Sequence, residues 1–512
     1  MAPALTPQAL PSSNPNEPLE NPYATPTPEK DPSLPGQAIP AKLPLMEKVG
    51  YGLGDAASNI FFQTVNMFLL FYYTDVFGLN AEIAGTLFIL ARFWDALIDP
   101  LLGALADRTR TRWGSYRPYL LWLALPFGLI GYAAFANPDL SDNAKIVYAY
   151  VTYFLLMTAY AAINVPYSAL MGVMTPSSKE RTSLSMYRFV GAFGGQLLIG
   201  LGVIPLVRIL GGGDKAHGFK ITMAIFSVVA VVLFIMTFLM TKERIKPHHE
   251  KPDFKKDIGS LLKNRPWVIM VVAGLLTLSG AAVRWAVTPH FFKYFGGYSD
   301  EPILWFLDHT SLFLTIGSMA FLAAMPFTPW LVRRFGKKRS LMVLTLANGF
   351  VTLAFFFIPR DAYGMMVAVF AVGNFLAGPT PALVWAIYTD VADYGEWKFG
   401  RRTTGMAFAT AIFSQKVGIS IGGGVAGWLL AVYGFKPDIV QSEGTLEGLR
   451  ILFSVIPGVF AVANGVVLIW YSLSDAQVDR IEAELAQRRG GTAPEGHAVP
   501  VPAVLGETAG EV

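Results

Sequence analysis

The chain is predicted to be an all-α membrane protein: twelve transmembrane helices in two halves of six, with both termini in the cytoplasm. Three observations predict this. The 512 residues are 53% hydrophobic and only 15% charged, with a mean hydropathy of +0.45. Soluble domains carry about 25% charged residues, and the apolar residues here gather in stretches of about twenty, the length that crosses a bilayer as a helix. Lys and Arg also alternate from loop to loop. About 22 lie in the loops after even-numbered stretches and about 7 in the others, and the positive-inside bias puts the first set in the cytoplasm. Finally, the loops of the two halves repeat. The second stretch is followed by Arg108-Thr-Arg110-Thr-Arg112-Trp-Gly114 and the eighth by Arg333-Arg334-Phe-Gly336-Lys337-Lys338-Arg339. Lys179-Glu180-Arg181-Thr182-Ser183 after the fourth is matched by Lys398-Phe399-Gly400-Arg401-Arg402-Thr403-Thr404 after the tenth.

Taken in order, residues 1–44 are rich in Pro, Ser, Asn and Glu without a hydrophobic period, which predicts a disordered tail. This stretch lacks the charged start and apolar run of a signal peptide. Residues 45–241 form the first half, with stretches centred near Val65, Ala91, Gly128, Met157, Leu198 and Val229. Residues 242–265 are a basic cytoplasmic loop. Residues 266–471 form the second half, centred near Leu275, Thr315, Thr345, Leu376, Ser420 and Ala461. In the polar tail, 472–512, Ser474 and Gln477 are spaced as a capping box. Val478, Ile481 and Leu485 follow on one face, which predicts a short amphipathic helix on the cytoplasmic side; a partner site is the alternative. Six-plus-six stretches with a parallel repeat predict the major facilitator fold, with a substrate site between the halves.

Composition excludes several classes. There is no cysteine, hence no disulfide or thiolate metal site, and the six histidines show no metal-ligand spacing. The basic residues sit in short loops, which argues against nucleic acid as a partner. No nucleophile elbow, phosphate-cradling loop or zinc motif occurs, so neither an enzyme nor a cofactor is expected.

Charges inside a span are costly and mark function by default. Arg92, Asp95 and Asp99 of the second stretch lie on one helical stripe, with Asp99 about 6 Å closer to the cytoplasm than Asp95. Two carboxylates one turn apart repel each other, which favours a bound cation such as Na⁺ or a shared proton. The alternative is a static network neutralised by Arg92 and Lys416. Asp55 and Asn59 of the first stretch, Asn164 of the fourth and Lys416 of the eleventh arrive at a similar depth. Each Asn can be a ligand or a link between helices. Trp385, Tyr160 and Tyr167 could offer flat faces to a sugar ring or simply pack. The glycines at 191, 194 and 195 and at 418, 422, 423, 424 and 427 predict close helix packing.

These residues resemble the glycoside–pentoside–hexuronide:cation symporters, the melibiose-permease family of the major facilitator superfamily. The resemblance rests on Tyr51-Gly-Leu-Gly-Asp55 with Asn59, Phe71-Tyr-Tyr-Thr-Asp75, and Arg92-Phe-Trp-Asp95-Ala-Leu-Ile-Asp99-Pro100 continuing to Arg117-Pro118. Asn164-Val-Pro166-Tyr167, Asp390, Asp393-Tyr-Gly-Glu396-Trp-Lys398 and Lys416 complete it, over about Leu45 to Leu485. It implies symport of a sugar with Na⁺, Li⁺ or H⁺ across the plasma (inner) membrane by a monomer. The cation would bind at Asp95 and Asp99 beside Lys416, with Arg188 lining the sugar cavity. It also implies a cytoplasmic gate at Asp107, Arg108 and Arg112 that ties neighbouring spans. Melibiose permeases place aspartates where this chain has Asn59 and Asn164. That departure points away from α-galactosides, toward members that carry xylosides, glucuronides and oligosaccharides; Arg284, His290 and Lys293 of the seventh stretch could attract a uronate carboxylate or merely snorkel at its outer end. A lysolipid or other amphipath carrier, or a receptor that binds without transporting, are the rival readings.

Overall fold

A computed structural model describes residues 42–175, 177–245, 259, 261–400 and 404–488, which form helices, turns and two isolated bridges. Most of the N-terminal tail, most of the central loop and the tail beyond Arg488 lie outside the described residues.

In the first half, α1 (Leu45–Thr64) continues through π-helical turns at Val65–Leu69 and Tyr72–Val76. It is followed by α2 (Ala81–Arg108), α3 (Arg117–Trp122 and, past Leu123, Ala124–Ala134) and α4 (Asp142–Met174). Helices α5 (Ser178–Gly211) and α6 (Lys215–Met240) complete the half. The second half opens with α7 (Arg265–His290), extended by a π turn at Phe291–Phe295, and α8 (His309–Ala324, resuming at Thr328–Phe335). Then come α9 (Lys337–Ala354), α10 (Tyr363–Ala377 and Thr380–Phe399), α11 (Thr404–Val432) and α12 (Glu443–Arg450 through Ile456–Val467). A polar helix α13 (Asp475–Arg488) follows.

Among the described residues nine helices are long and apolar enough to cross a membrane. The three segments outside that set are instructive. Helix α2 carries Arg92, Asp95 and Asp99, α1 carries Glu47, Lys48 and Asp55, and α3 is interrupted at Leu123.

Glycine sets the helix spacing at the centre. Gly191 of α5 lies against the backbone of Gly52 in α1, where a methyl group would strike the Gly52 carbonyl. Helix α11 turns one glycine face, Gly418 and Gly422, to Leu275 and Ser279 of α7, and another, Gly427, to Gly85 of α2. It thereby joins the halves.

The two halves share two further devices. Tyr167 of α4 donates its hydroxyl to the Tyr51 carbonyl of α1 at 2.5 Å; Tyr388 of α10 donates to the Met270 carbonyl of α7 at 2.9 Å. At the foot of α3, the Glu243 carboxylate accepts the N–H groups of Ser115, Tyr116 and Arg117 at 2.7–2.8 Å, beside Gly114 at φ 111°. At the foot of α9, Asp475 accepts the Lys337 N–H at 3.1 Å beside Gly336 at φ 79°. Each carboxylate satisfies the donors of a helix N-terminus, where negative charge is favoured. Helix α13 starts with Gln477 accepting the Ser474 N–H at 3.0 Å, and buries Val478, Ile481 and Leu485 against the second half.

Candidate functional site

Between the halves lies a cavity of about 470 Å³. The first half contributes Asp55, Asn59, Gln63, Asn66, Asp95, Tyr160 and Gln196 to its wall; the second contributes Trp285, Trp385, Gln415 and Lys416. Asp55, Asn59 and Gln63 recur every four residues, so one stripe of α1 faces the cavity. Asn59 donates to the Asp55 carbonyl at 2.9 Å, which leaves its carbonyl oxygen toward Gln63 at 3.4 Å.

Asp95 is buried in the wall, and Asp99, one turn along, receives Lys416 Nζ from α11. The second oxygen of Asp99 is buried without a hydrogen bond. The acid pair thus sits beside the cavity with a lysine from the opposite half on one member, and it retains acceptor capacity for a cation or proton. The side chain of Arg92 lies outside the described residues.

Three expected wall residues sit elsewhere. Arg188 holds Asp55 at 2.5 Å and lies over the rings of Tyr51 and Tyr167 at 5.8 and 5.1 Å. It meets the cavity through Asp55, whose charge it balances. Tyr167 is fully buried behind the wall and makes the α4–α1 lock, so its ring faces Gly54 and Tyr51 rather than a ligand. Asn164 spends both ends of its amide on protein. It accepts from Ser58 at 2.7 Å and donates to the Tyr160 carbonyl at 2.9 Å, which makes it a link between α1 and α4.

The expected gate is also different in form. Asp107 accepts the Tyr116 hydroxyl at 2.8 Å, Arg112 lies over its neighbour Trp113 at 4.6 Å, and Arg108 is exposed. Burial, with the Asp107 hydrogen bond second, pushes the Tyr116 phenol up. In this conformation these contacts stay within 107–116. The tie to another helix is made instead by Glu243 and by Arg117, which donates to the Phe238 carbonyl at 2.7 Å.

At the end of the bundle opposite the chain termini, the halves are sealed together. Asp75 of α1, with no exposed side-chain surface, accepts Lys293 of α7 at 2.6 Å, lies 3.3 Å from His290 and receives the Tyr294 hydroxyl. Lys293 also reaches Asp438 at 2.8 Å. Lys215–Asp300 at 2.6 Å and Arg208–Glu301 at 3.3 Å add two more bridges between the halves. At the terminal end, Lys48–Glu180 and Lys337–Asp390 each stay within one half, and Arg244–Glu47 ties the start of the central loop to the first half. Hydrogen bonds from Lys48 and from the Leu43 N–H hold the Glu180 carboxyl below its usual range.

Sequence reasoning read His290 and Lys293, with Arg284, as basic residues that could attract a uronate or merely snorkel, and it missed the partner Asp75 and the cap Glu243. Gln63 and Asn66 were legible, because they continue the Asp55–Asn59 stripe by four and seven residues.

Fold and cavity together define a membrane transport protein of the major facilitator type. Residues 50–475 match the family of MFS/sugar transport proteins. An Escherichia coli (strain K12) protein provisionally named a glycoside/cation symporter is 38% identical over 464 residues, which cover 90% of this chain and 98% of that one. An inner membrane symporter of the same organism is 36% identical over 451 residues, covering 87% and 95%. Among solved structures, a study of proton-dependent oligopeptide transporters superposes with a TM-score of 0.62 over 85% of this chain and 99% of that one. At 12% identity it bears on the fold alone. The chain belongs to the MFS/sugar transport family and, within it, to the glycoside–pentoside–hexuronide:cation symporters. It is a multi-pass plasma (inner) membrane protein.

Proposed function

We propose that the chain is a monomeric symporter that couples uptake of a glycoside, pentoside or hexuronide to Na⁺ or H⁺ by alternating access. In this reading α1–α12 supply twelve spans and both termini are cytoplasmic. The observation that carries it is the acid pair Asp95 and Asp99 beside a cavity between the halves, with Lys416 of the second half on Asp99. The ion pairs Lys293–Asp75, Lys215–Asp300 and Arg208–Glu301 hold the halves together at the end opposite the termini, which supports reading the conformation as inward-facing.

A cation arriving at Asp95 and Asp99 competes with Lys416 and neutralises the pair. Sugar then meets an ordered wall of Asn59, Gln63 and Trp385, and binds more tightly. By linkage the sugar tightens the cation by the same factor. The halves rock about the loaded site, and Asp107, Arg108 and Arg112 act in the outward-open form. One cation crossing about 100 mV contributes about 2.3 kcal/mol, or roughly fifty-fold accumulation of a neutral sugar.

The melting temperature of the purified protein tests this against glycosides, pentosides and uronides, each in Na⁺ and in choline, and at two pH values. A ligand of the folded state raises it. A sugar-specific rise that depends on Na⁺ or on pH is expected. A rise with lysolipids and none with any sugar would replace the sugar reading.

A further inference from the structure

We propose that the transported sugar carries an acidic group, and that Arg284 of α7 is the residue that receives its carboxylate. The inference rests on the sugar-symport reading and names the substrate class of that site.

A second cavity of about 340 Å³, lined mostly by the second half, shares Phe193, Gln196, Leu278 and Trp285 with the cavity between the halves, so the two adjoin. Arg284 lies in its wall, and no Asp or Glu does. Among the described residues the guanidinium has no acidic partner. Its one hydrogen bond goes to Thr352 Oγ1 at 3.5 Å, the outer limit for such a bond, and its buried Nε has none. Two other cations of the central region are balanced, Arg188 by Asp55 and Lys416 by Asp99.

A cation within a span is expensive. Part of the cost is offset by three rings, since Arg284 lies 4.5, 4.9 and 5.2 Å from Phe453, Phe370 and Phe355. Aromatic faces attract the charge, but they do not satisfy five N–H donors lying in one plane. That planar fork matches a carboxylate, which it can hold through two parallel bonds. Asn348, Asn374 and Asn464 share the cavity wall and supply amide groups suited to hydroxyls. The lining therefore fits a saccharide with one anionic end: ring hydroxyls on amides, carboxylate on Arg284, and the remainder of the molecule in the cavity beside Asp95. On this account a uronide, not its neutral analogue, is the preferred substrate.

The test compares matched glycosides that differ only in carboxylate against hydroxymethyl at C6, such as methyl glucuronide and methyl glucoside. Binding of each is measured by titration to the full chain in nanodiscs. The wild type should prefer the acidic member by about ten- to a hundredfold, the range contributed by a charge-assisted bidentate contact. R284Q should erase that preference while leaving the neutral member within about threefold, and R284K should keep part of it. Because R284Q removes a buried group and could unfold the half, Thr352→Asp is the second variant. It leaves Arg284 in place but gives it an internal counter-ion, and should equally abolish the acid preference. Equal binding of both members by wild type, or loss of both together in Thr352→Asp, overturns the assignment while the symporter reading stands. Silence toward every sugar, acidic or neutral, overturns the symporter reading and this inference with it.

Discussion

The two halves of this protein use the same scaffold to hold opposite chemistry. Each locks its fourth helix to its first with a tyrosine hydroxyl on a backbone carbonyl, at Tyr167 and at Tyr388. Each places a positive-φ glycine before a helix whose N-terminus is capped by a carboxylate from far along the chain, Glu243 or Asp475. Toward the cavities they differ. The first half presents Asp55 and Asp95 with amides, and the second presents Lys416, Arg284 and amides. The lesson is that the repeat maintains packing, while the charges lining the cavities lie where the repeat is broken.

The largest expected effect comes from the seal between the halves. Asp75→Asn leaves His290 buried without its acid and Lys293 with Asp438 alone, and removing one partner of a buried pair costs about 3–5 kcal/mol. That loss falls on the inward-facing form, so the outward-open population should grow at least tenfold, since 1.4 kcal/mol is about a factor of ten. The chain has no cysteine, so a single cysteine at Gln63 in the cavity wall reports access. Labelling by an impermeant maleimide from outside should rise. An unchanged rate would mean that Asp75 does not hold the halves together.

The two caps sharpen the comparison at the next level. Glu243 serves three N–H groups and Asp475 serves the N–H of Lys337 alone. Glu243→Ala should therefore cost about 2 kcal/mol and Asp475→Ala about 1 kcal/mol, read as the fall in melting temperature. Equal losses would show that the caps contribute through charge and not through bond count. Smallest of all, Tyr167→Phe and Tyr388→Phe each delete one hydroxyl bond to a carbonyl. Each should cost about 1 kcal/mol. A Tyr167→Phe variant that instead lost sugar affinity at unchanged stability would return that residue to the binding site.

How far the sequence reaches is also different in the two kinds of region. Apolar length and the loop repeat were sufficient for the helical architecture, and the i, i+4 stripe of Asp55 and Asn59 led to the cavity wall together with Asp95, Trp385 and Lys416. A helical period fixes which residues share a face, but not which neighbour that face meets. For that reason Asn164 and Tyr167, at the right depth, turned out to be helix links. Asp75 and Lys293 are 218 residues apart, and alone each resembles an ordinary charge at a span end. Glu243 was hidden for the same reason: its partners are backbone N–H groups 126 to 128 residues away, which leave no mark in composition. Arg284 was legible as a basic residue within a span, but its lack of an acid partner was not.

The central claim is that Asp95 and Asp99 couple the cation to the sugar. Vesicles reconstituted with wild type or Asp99→Asn, assayed for solute counterflow and for accumulation driven by an imposed Na⁺ or H⁺ gradient, test it most directly. The wild type should show both activities. Asp99→Asn should retain exchange of labelled sugar, because the cavity and the moving halves remain, and should lose concentrative uptake entirely. Normal gradient-driven accumulation by Asp99→Asn would contradict the claim and move the cation site elsewhere in the protein.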